Sequence, residues 1–375
     1  MTPKQIRNIQ LAAIAVVCII SLYFIHKKMK VDYIIVGLGL AGIAFVEELL
    51  NANKTFVVFE NNSQTSSIVA GGVYNPVILK RFNAVWNGHQ QIVDSQPLYK
   101  KLEEKLNIKL DYKFSIKKAF GSIGDENNWF LALDKPTLSN YMNPKISKQK
   151  IKGVIGDLGF GELTGTGRID TALLVKSYRA YIKRLNNLIN ESFEHSKLSI
   201  VDKAVKYKNI TANKVVFCEG YGITENPFFK HLPLNEAKGE TVTIHAPDLK
   251  IDFLLKSAAF VMPLGNDYYK VGATFNWTDK TCNPTNEARK ELEEKLSKVI
   301  TVPYTITDHT AGIRPTVNDR RPLVGVHQEY KQLVVLNGLG TRGVMIGPTV
   351  AKNLFNHLEK GAELDPEINI KRFEN

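Results

Sequence analysis

Few folds accommodate the stretch Val31–Glu60, VDYIIVGLGLAGIAFVEELLNANKTFVVFE. Tyr33 to Val36 are β-formers of the kind a central parallel strand, buried on both faces, requires. Gly37, Gly39 and Gly42 follow in G-x-G-x-x-G register. The first glycine permits a tight turn, the second lets backbone approach a diphosphate, and the third lets the helix pack close to the strand. Ile43, Val46, Leu49 and Leu50 recur at helical spacing, so a helix follows the turn. Its N-terminus, at Gly39, Leu40 and Ala41, suits a diphosphate. Thr55 to Phe59 form the next strand, and Glu60 at its end can accept hydrogen bonds from ribose hydroxyls. Strand, turn, helix, strand and terminal acid together predict a dinucleotide site.

The chain has 375 residues, long enough for two domains, and at 44% hydrophobic and 23% charged it reads as an ordinary globular protein. Its three cysteines, Cys18, Cys218 and Cys282, include no C-x-x-C pair. That argues against zinc, iron–sulfur clusters and a disulfide framework, so no metal is expected. Leu11 to Ile25 carries no charge and is flanked by Lys4 and Arg7 on one side and by Lys27, Lys28 and Lys30 on the other. At about 1.5 Å per residue it spans roughly 22 Å, short of the roughly 30 Å hydrocarbon core unless Ile9 and Gln10 are recruited. Two readings of segment 1–28 stay open: a membrane anchor using residues 9–25, or an over-extended start with Met29 as the natural beginning. In either case the folded part is expected in the cytoplasm, in the first case tethered to the inner face of the membrane. Of the net charge of +12, residues 1–30 supply +5, leaving +7 on the rest, with lysines dense from Lys80 to Lys118 and from Lys145 to Lys152.

Beyond Glu60, NNSQTSSIVAGGVYNPV supplies the small and hydroxylated residues Ser66, Ser67, Gly71 and Gly72 that a loop beside a cofactor needs. Ile92 to Leu106 and Ile169 to Leu188 have helical spacing, with Asp170 near the start of the second. Leu198 to Val205 with Ile210 to Ala212 reads as a hairpin, and KVVFCEG, ending at Gly220, as another buried strand. Glu240 to His245, Ala259 to Pro263 and Tyr268 to Phe275 suggest an antiparallel sheet over a pocket, with a charged helix at Asn286 to Val299. The C-terminal region holds AGIRPTVNDRRPLVG, the strand LVVLNGLG and a second glycine turn entering a helix, TRGVMIGPTVAKNLFNHL. These patterns predict an α/β protein: a discontinuous Rossmann-like domain from 30–82, 151–232 and 310–365, and a second antiparallel-sheet substrate domain from 83–150 and 233–309.

Four blocks resemble the D-amino acid oxidase family of FAD-dependent oxidoreductases, which includes glycine oxidase and sarcosine oxidase. They are VDYIIVGLGLAG with Glu60, GTGRIDTALL, VVFCEG, and the pair GIRPTVNDRRPLVG and NGLGTRGVMIGP. The resemblance implies the glutathione-reductase-type FAD fold, with FAD lying between the two domains. It implies contacts to FAD from Gly37, Gly39, Leu40, Ala41, Gly42, Glu60, Ser67, Gly220, Gly338 and Gly340. It further implies that Thr341, Arg342, Gly343, Val344 and Met345 lie at the pyrimidine end of the flavin, where negative charge develops on reduction. Arg314 matches the family arginine that pairs with a substrate carboxylate. Lys270 falls where sarcosine oxidase has a lysine that assists oxygen reduction. Phe260 stands where glycine oxidase has a substrate-contacting tyrosine. No cysteine follows Cys282 and no histidine lies within 61–75, so FAD is expected to be non-covalent.

The activity implied is oxidation of a C–N bond of an amino acid or secondary amine by hydride transfer to flavin N5. Two alternatives stand beside it. One is removal of a carboxymethyl group from a modified tRNA wobble uridine, suggested by AGGVYNP and the basic run from Lys80 to Lys118. The other is a membrane-anchored flavoprotein without turnover.

Overall fold

The computed structural model describes residues 28–374, so the apolar stretch 9–25 lies outside the described residues. Met29–Val36 pairs in parallel with Phe56–Phe59 on one side and Ile210–Phe217 on the other, with Ile34 opposite Val57 and Val215. The sheet has eight strands. Leu188–Ile189 edges it beside Phe56–Phe59. The N-terminal half of Ile210–Phe217 pairs with the hairpin formed by Leu198–Val201 and Ala204–Tyr207, and its C-terminal half with Leu333–Asn337. Leu323–Val326 closes the far side, antiparallel to Leu333–Asn337.

Alternation along these strands fills two cores. Tyr33, Ile35, Val58 and Val216 face helices Leu40–Asn51, Gly88–Leu106, Thr171–Arg184 and Gly343–Lys360. Ile34, Val57, Phe59 and Phe217 face the opposite way, onto Phe229, Val205 and Tyr207. Coverage on both faces is what a parallel sheet requires, because neither face then presents its apolar side chains to water.

A second sheet of seven strands runs in the order Thr305–Arg314, Ala237–His245, Tyr268–Gly272, Phe260–Gly265, Leu254–Lys256, Ile116–Ala119, Phe160–Leu163. One face packs Val242, Leu255, Val261 and Val271 against Leu292 and Leu296 of the helix Asn286–Leu296. The other face turns toward the first sheet.

Long-range pairing places several segments across the boundaries read from the sequence. Phe160–Leu163, in the glycine-rich stretch assigned to the Rossmann-like part, is bound antiparallel to Ile116–Ala119 in the second sheet. Thr305–Arg314 carries residues 310–314 into the same sheet. Gly88–Leu106, assigned to the substrate part, instead buries Ile92, Tyr99 and Leu102 in the helical core of the first sheet, and the Tyr99 hydroxyl donates to the Val344 carbonyl at 2.8 Å. The hairpin turns at Asp202 and Lys203, and Ile210–Phe217 is one continuous strand. Local composition carries no record of which strand a segment will pair with, so these boundaries shift.

A charged cluster ties the helices together. Glu47, fully buried on Leu40–Asn51, accepts from Lys105 Nζ at 2.5 Å and from the Tyr178 hydroxyl at 2.7 Å, with Lys101 Nζ at 3.4 Å. A buried carboxylate stripped of its partner is costly because no water replaces the lost cation. Lys105→Met keeps the aliphatic stem and removes the charge. It should lower unfolding stability by on the order of 3 kcal/mol in urea titrations. A loss below about 0.5 kcal/mol would show that Lys101 alone compensates Glu47.

Candidate active site

The glycine turn is set by contact distances that leave no room for side chains. Gly37 has φ +94°, and a Cβ there would lie 2.5 Å from the Cys218 carbonyl oxygen. A Cβ on Gly42 would lie 2.1 Å from the Gly37 oxygen. Gly39 caps the helix Leu40–Asn51 without any side-chain cap, and the first turn holds no acid, so the positive end of the helix is open to an anion. Above it, Ser67 Oγ accepts from the Leu40 N–H at 3.2 Å.

Glu60 braces this turn. One carboxylate oxygen accepts from the Leu38 N–H at 2.6 Å; the other accepts from the Asn62 N–H at 2.7 Å and faces Arg179 Nη2 at 3.0 Å. A carboxylate offers about four acceptor positions, so one remains for a ligand hydroxyl. Cys218 is buried behind the turn, and burial followed by the charge of Glu219 pushes its thiol pKa up, which suits a packed rather than a reactive thiol.

A cavity of about 810 Å³ runs from this turn to the second sheet. Gly37, Gly39, Leu40, Ala41, Glu60, Ser67 and Gly220 border one end, and Arg314, Gly340, Thr341, Arg342, Gly343 and Val344 the other. Gly42, Gly338, Met345 and Lys270 do not border it. Gly42 and Gly338 act at one remove: Gly338 has φ +72° and donates to Asn337 Oδ1 at 2.7 Å, while Asn337 Nδ2 donates to the Gly220 carbonyl at 2.9 Å. Met345 is fully buried, and its sulfur accepts from the Asn75 N–H at 3.3 Å. The helix Gly343–Lys360 begins at Arg342 with no side-chain cap and no acid in its first turn, giving the cavity a second open helix N-terminus.

The face of the second sheet turned to the cavity has its side chains pared away. Cross-strand register aligns Lys256, Phe260, Gly272 and Thr241 in one row. Arg314, at the end of its strand, lays its guanidinium over Gly239, where a Cβ would come within 1.8 Å of Nη2. Both terminal nitrogens of Arg314 donate to the Thr274 carbonyl at 3.3 Å, and Phe275 stacks with its ring centre 4.3 Å from the guanidinium carbon. Among the described residues no carboxylate pairs with Arg314, and burial pushes its pKa down to about 10. Lys270 stands on the same face, in the row beside Met262. Its Nζ donates to the Val69 carbonyl at 3.2 Å beneath the Ser66–Val69 turn, burial lowers its pKa, and it does not border the cavity.

Sequence reading missed Gly239 and Lys256. An isolated glycine inside a strand signals close approach of another group, so Gly239 was discoverable. A lysine in an alternating strand carries no such signal. Among the described residues no cluster of three or more His, Cys, Asp or Glu side chains could hold a metal ion.

Comparison with known proteins agrees with this architecture. The family described as DAO, FAD dependent oxidoreductase, matches residues 32–356. Glycine oxidase of Bacillus subtilis strain 168 is 24% identical over 347 residues, covering 86% of this chain and 91% of the relative. The crystal structure of glycine oxidase from Bacillus cereus ATCC 14579 superposes with a TM-score of 0.74 at 18% identity, covering 89% of this chain and 96% of that one. Iminodiacetate oxidase from Chelativorans sp. BNC1 superposes with a TM-score of 0.70 at 17% identity, covering 90% and 98%.

The residues present fit a non-covalent FAD. The cavity volume is within the range of cofactor sites, roughly 300–1,000 Å³. Its wall joins the uncapped helix at Gly39, the spare acceptor position of Glu60 and the uncapped helix at Arg342. With a family match over nearly the whole described chain and a cavity built to that cofactor's requirements, the chain belongs to the DAO family of FAD-dependent oxidoreductases.

Proposed function

We propose that the protein oxidises the C–N bond of a small amino acid or secondary amine whose carboxylate is held by Arg314. The observation that carries this reading is a cation on the cavity wall without a counter-ion. A guanidinium has five N–H donors in a fixed fork. The Thr274 carbonyl accepts from Nη1 and Nη2, so N–H donors remain for a carboxylate. Phe275 on its face and Phe260 along the wall give the guanidinium apolar neighbours.

A bound FAD would supply the acceptor for a hydride and its electron pair from the substrate α-carbon; with one proton lost from nitrogen to solvent the product would be an imine, which water hydrolyses. The protein's share is positioning and desolvation, which require no dedicated acid or base. Glu60 and the open helix end at Gly39 are assigned to the ribose and diphosphate, and the open helix end at Thr341–Val344 to the ring. Lys270 is assigned to bracing the Ser66–Val69 turn through the Val69 carbonyl.

The basic run adds no support for a polyanion substrate. Lys101 and Lys105 pair with Glu47, Lys109 with Glu103, Lys113 with Asp111 and Lys118 with Asp125. Much of the charge that suggested tRNA is neutralised locally.

Anaerobic addition of small amino acids and N-alkyl amino acids should bleach the absorption band of oxidised flavin, and a panel without any bleaching would overturn the reading. Arg314→Lys, which replaces a fork by a point charge, should raise KM for carboxylate substrates roughly ten- to a hundredfold at unchanged flavin content. Gly239→Ala should have a similar kinetic effect, because the added methyl occupies the place of the Arg314 guanidinium. Full activity of that variant would show that Arg314 is free to bind elsewhere. Glu60→Ala should loosen FAD without changing substrate selectivity, measured as flavin retained after gel filtration.

A further inference from the structure

Besides Arg314, the cavity wall carries Lys80, Lys256 and Arg342; Lys80 is exposed and Arg342 sits at the helix end assigned to the flavin, which leaves Lys256 as the cation without a role in this reaction. Lys256 ends the strand Leu254–Lys256, and alternation places Leu254 and Lys256 on the cavity side while Leu255 packs into the opposite core. Its neighbours in register are Lys118 on one side and Phe260 on the other. Lys118 is engaged, donating to the Ala119 carbonyl at 2.6 Å and to Asp125 at 3.3 Å. For the Lys256 ammonium no hydrogen bond or ion pair exists among the described residues. Burial lowers its pKa, and the charges of Lys118 and Lys295 add to the effect. An ammonium withdrawn from water beside other cations costs free energy that an arriving anion offsets.

Charge on the wall is segregated in the same sense. The acids that border the cavity are Glu60, Glu191, Glu219 and Glu225, which belong to the nucleotide end. Glu60 and Glu219 are already engaged, by Arg179 and by His195. The second sheet contributes Lys256 and Arg314 and no acid to the wall. Between the Gly239 strand beneath the Arg314 guanidinium and the strand of Lys256 lie Tyr268–Gly272 and Phe260–Gly265. That is three strand spacings, or about 14 Å between backbones, of which two long side chains close only part.

We propose that the substrate is a diacid: an amino acid or secondary amine whose α-carboxylate pairs with Arg314 and whose second acidic group, several bonds away, pairs with Lys256. The inference rests on the assignment of Arg314 above. Phe260, next to Lys256 in its row and on the cavity wall, provides an apolar surface for the spacer.

Dicarboxylates that cannot be oxidised test this directly. Glutarate and pimelate would be titrated into the FAD-loaded protein beside the chain-matched monoacids pentanoate and heptanoate, with affinity read by calorimetry and by perturbation of the flavin spectrum. The native protein should bind the better diacid about tenfold or more tighter than its monoacid partner. Lys256→Met should collapse that ratio toward one and Lys256→Arg should preserve it, with flavin content confirming that each variant is folded. A native ratio near one, or a ratio unmoved by Lys256→Met, overturns the second subsite. If monoacid binding still weakens in Arg314→Lys, the carboxylate anchor survives that failure. If monoacid binding ignores Arg314→Lys, the anchor and the diacid proposal fall together.

Discussion

The structure depends on one close contact, the packing of the glycine turn against Cys218, just past the end of the strand Ile210–Phe217. At Gly37 and Gly42 the backbone approaches to distances that a single methyl group would block. Because the turn can sit that close, the helix Leu40–Asn51 docks on the sheet and its open N-terminus points at the crevice beyond the strand ends. Such a crevice, at the carboxyl ends of parallel strands, is where an open α/β sheet binds its ligands. Glu60 holds the turn from the adjacent strand end through the Leu38 N–H, so the residue assigned to ribose also stabilises the anion site beside it.

The second sheet works by a related economy of side chains. Gly239, Gly272 and Gly312 clear its cavity face, and the room is taken by the Arg314 guanidinium, the ring of Phe260 and the Ser66–Val69 segment. Two helix N-termini and the side chains of Arg314, Lys256 and Arg342, none of them paired with a carboxylate among the described residues, then converge on a partly apolar space. Every one of these features favours negative charge, and their concentration in one cavity distinguishes it from the paired lysines on the surface. Surface pairs are screened and contribute little, whereas a cation withdrawn from water is stabilised strongly by an arriving anion.

The sequence reported local matters faithfully. The nucleotide-binding unit was legible because its signal is short-range: a two-sided apolar strand, three glycines at fixed spacing and a helical stripe. The C-terminal turn at Gly338–Val344 was legible for the same reason, and Arg314 through its resemblance to a known motif. Phe160–Leu163 was not legible, since its partner Ile116–Ala119 is more than forty residues away and nothing in a glycine-rich stretch encodes that pairing. The helix Gly88–Leu106 was recognised as a helix but assigned to the wrong layer, because an amphipathic stripe states that a face is buried and not against what.

Lys270 and Lys256 mark the division most clearly. Both are lysines on strands of one sheet, both face the same side, and burial lowers the pKa of both. The sequence by itself determined that a dinucleotide fold would form and where its turns would lie, because steric limits at glycine and apolar periodicity act within a few residues. Only the tertiary structure decided which lysine braces a turn beneath Val69 and which stands unpaired on the cavity wall. That choice follows from cross-strand register, which places Lys270 in the row of Met262 and Lys256 in the row of Phe260, and register is a property of distant segments meeting.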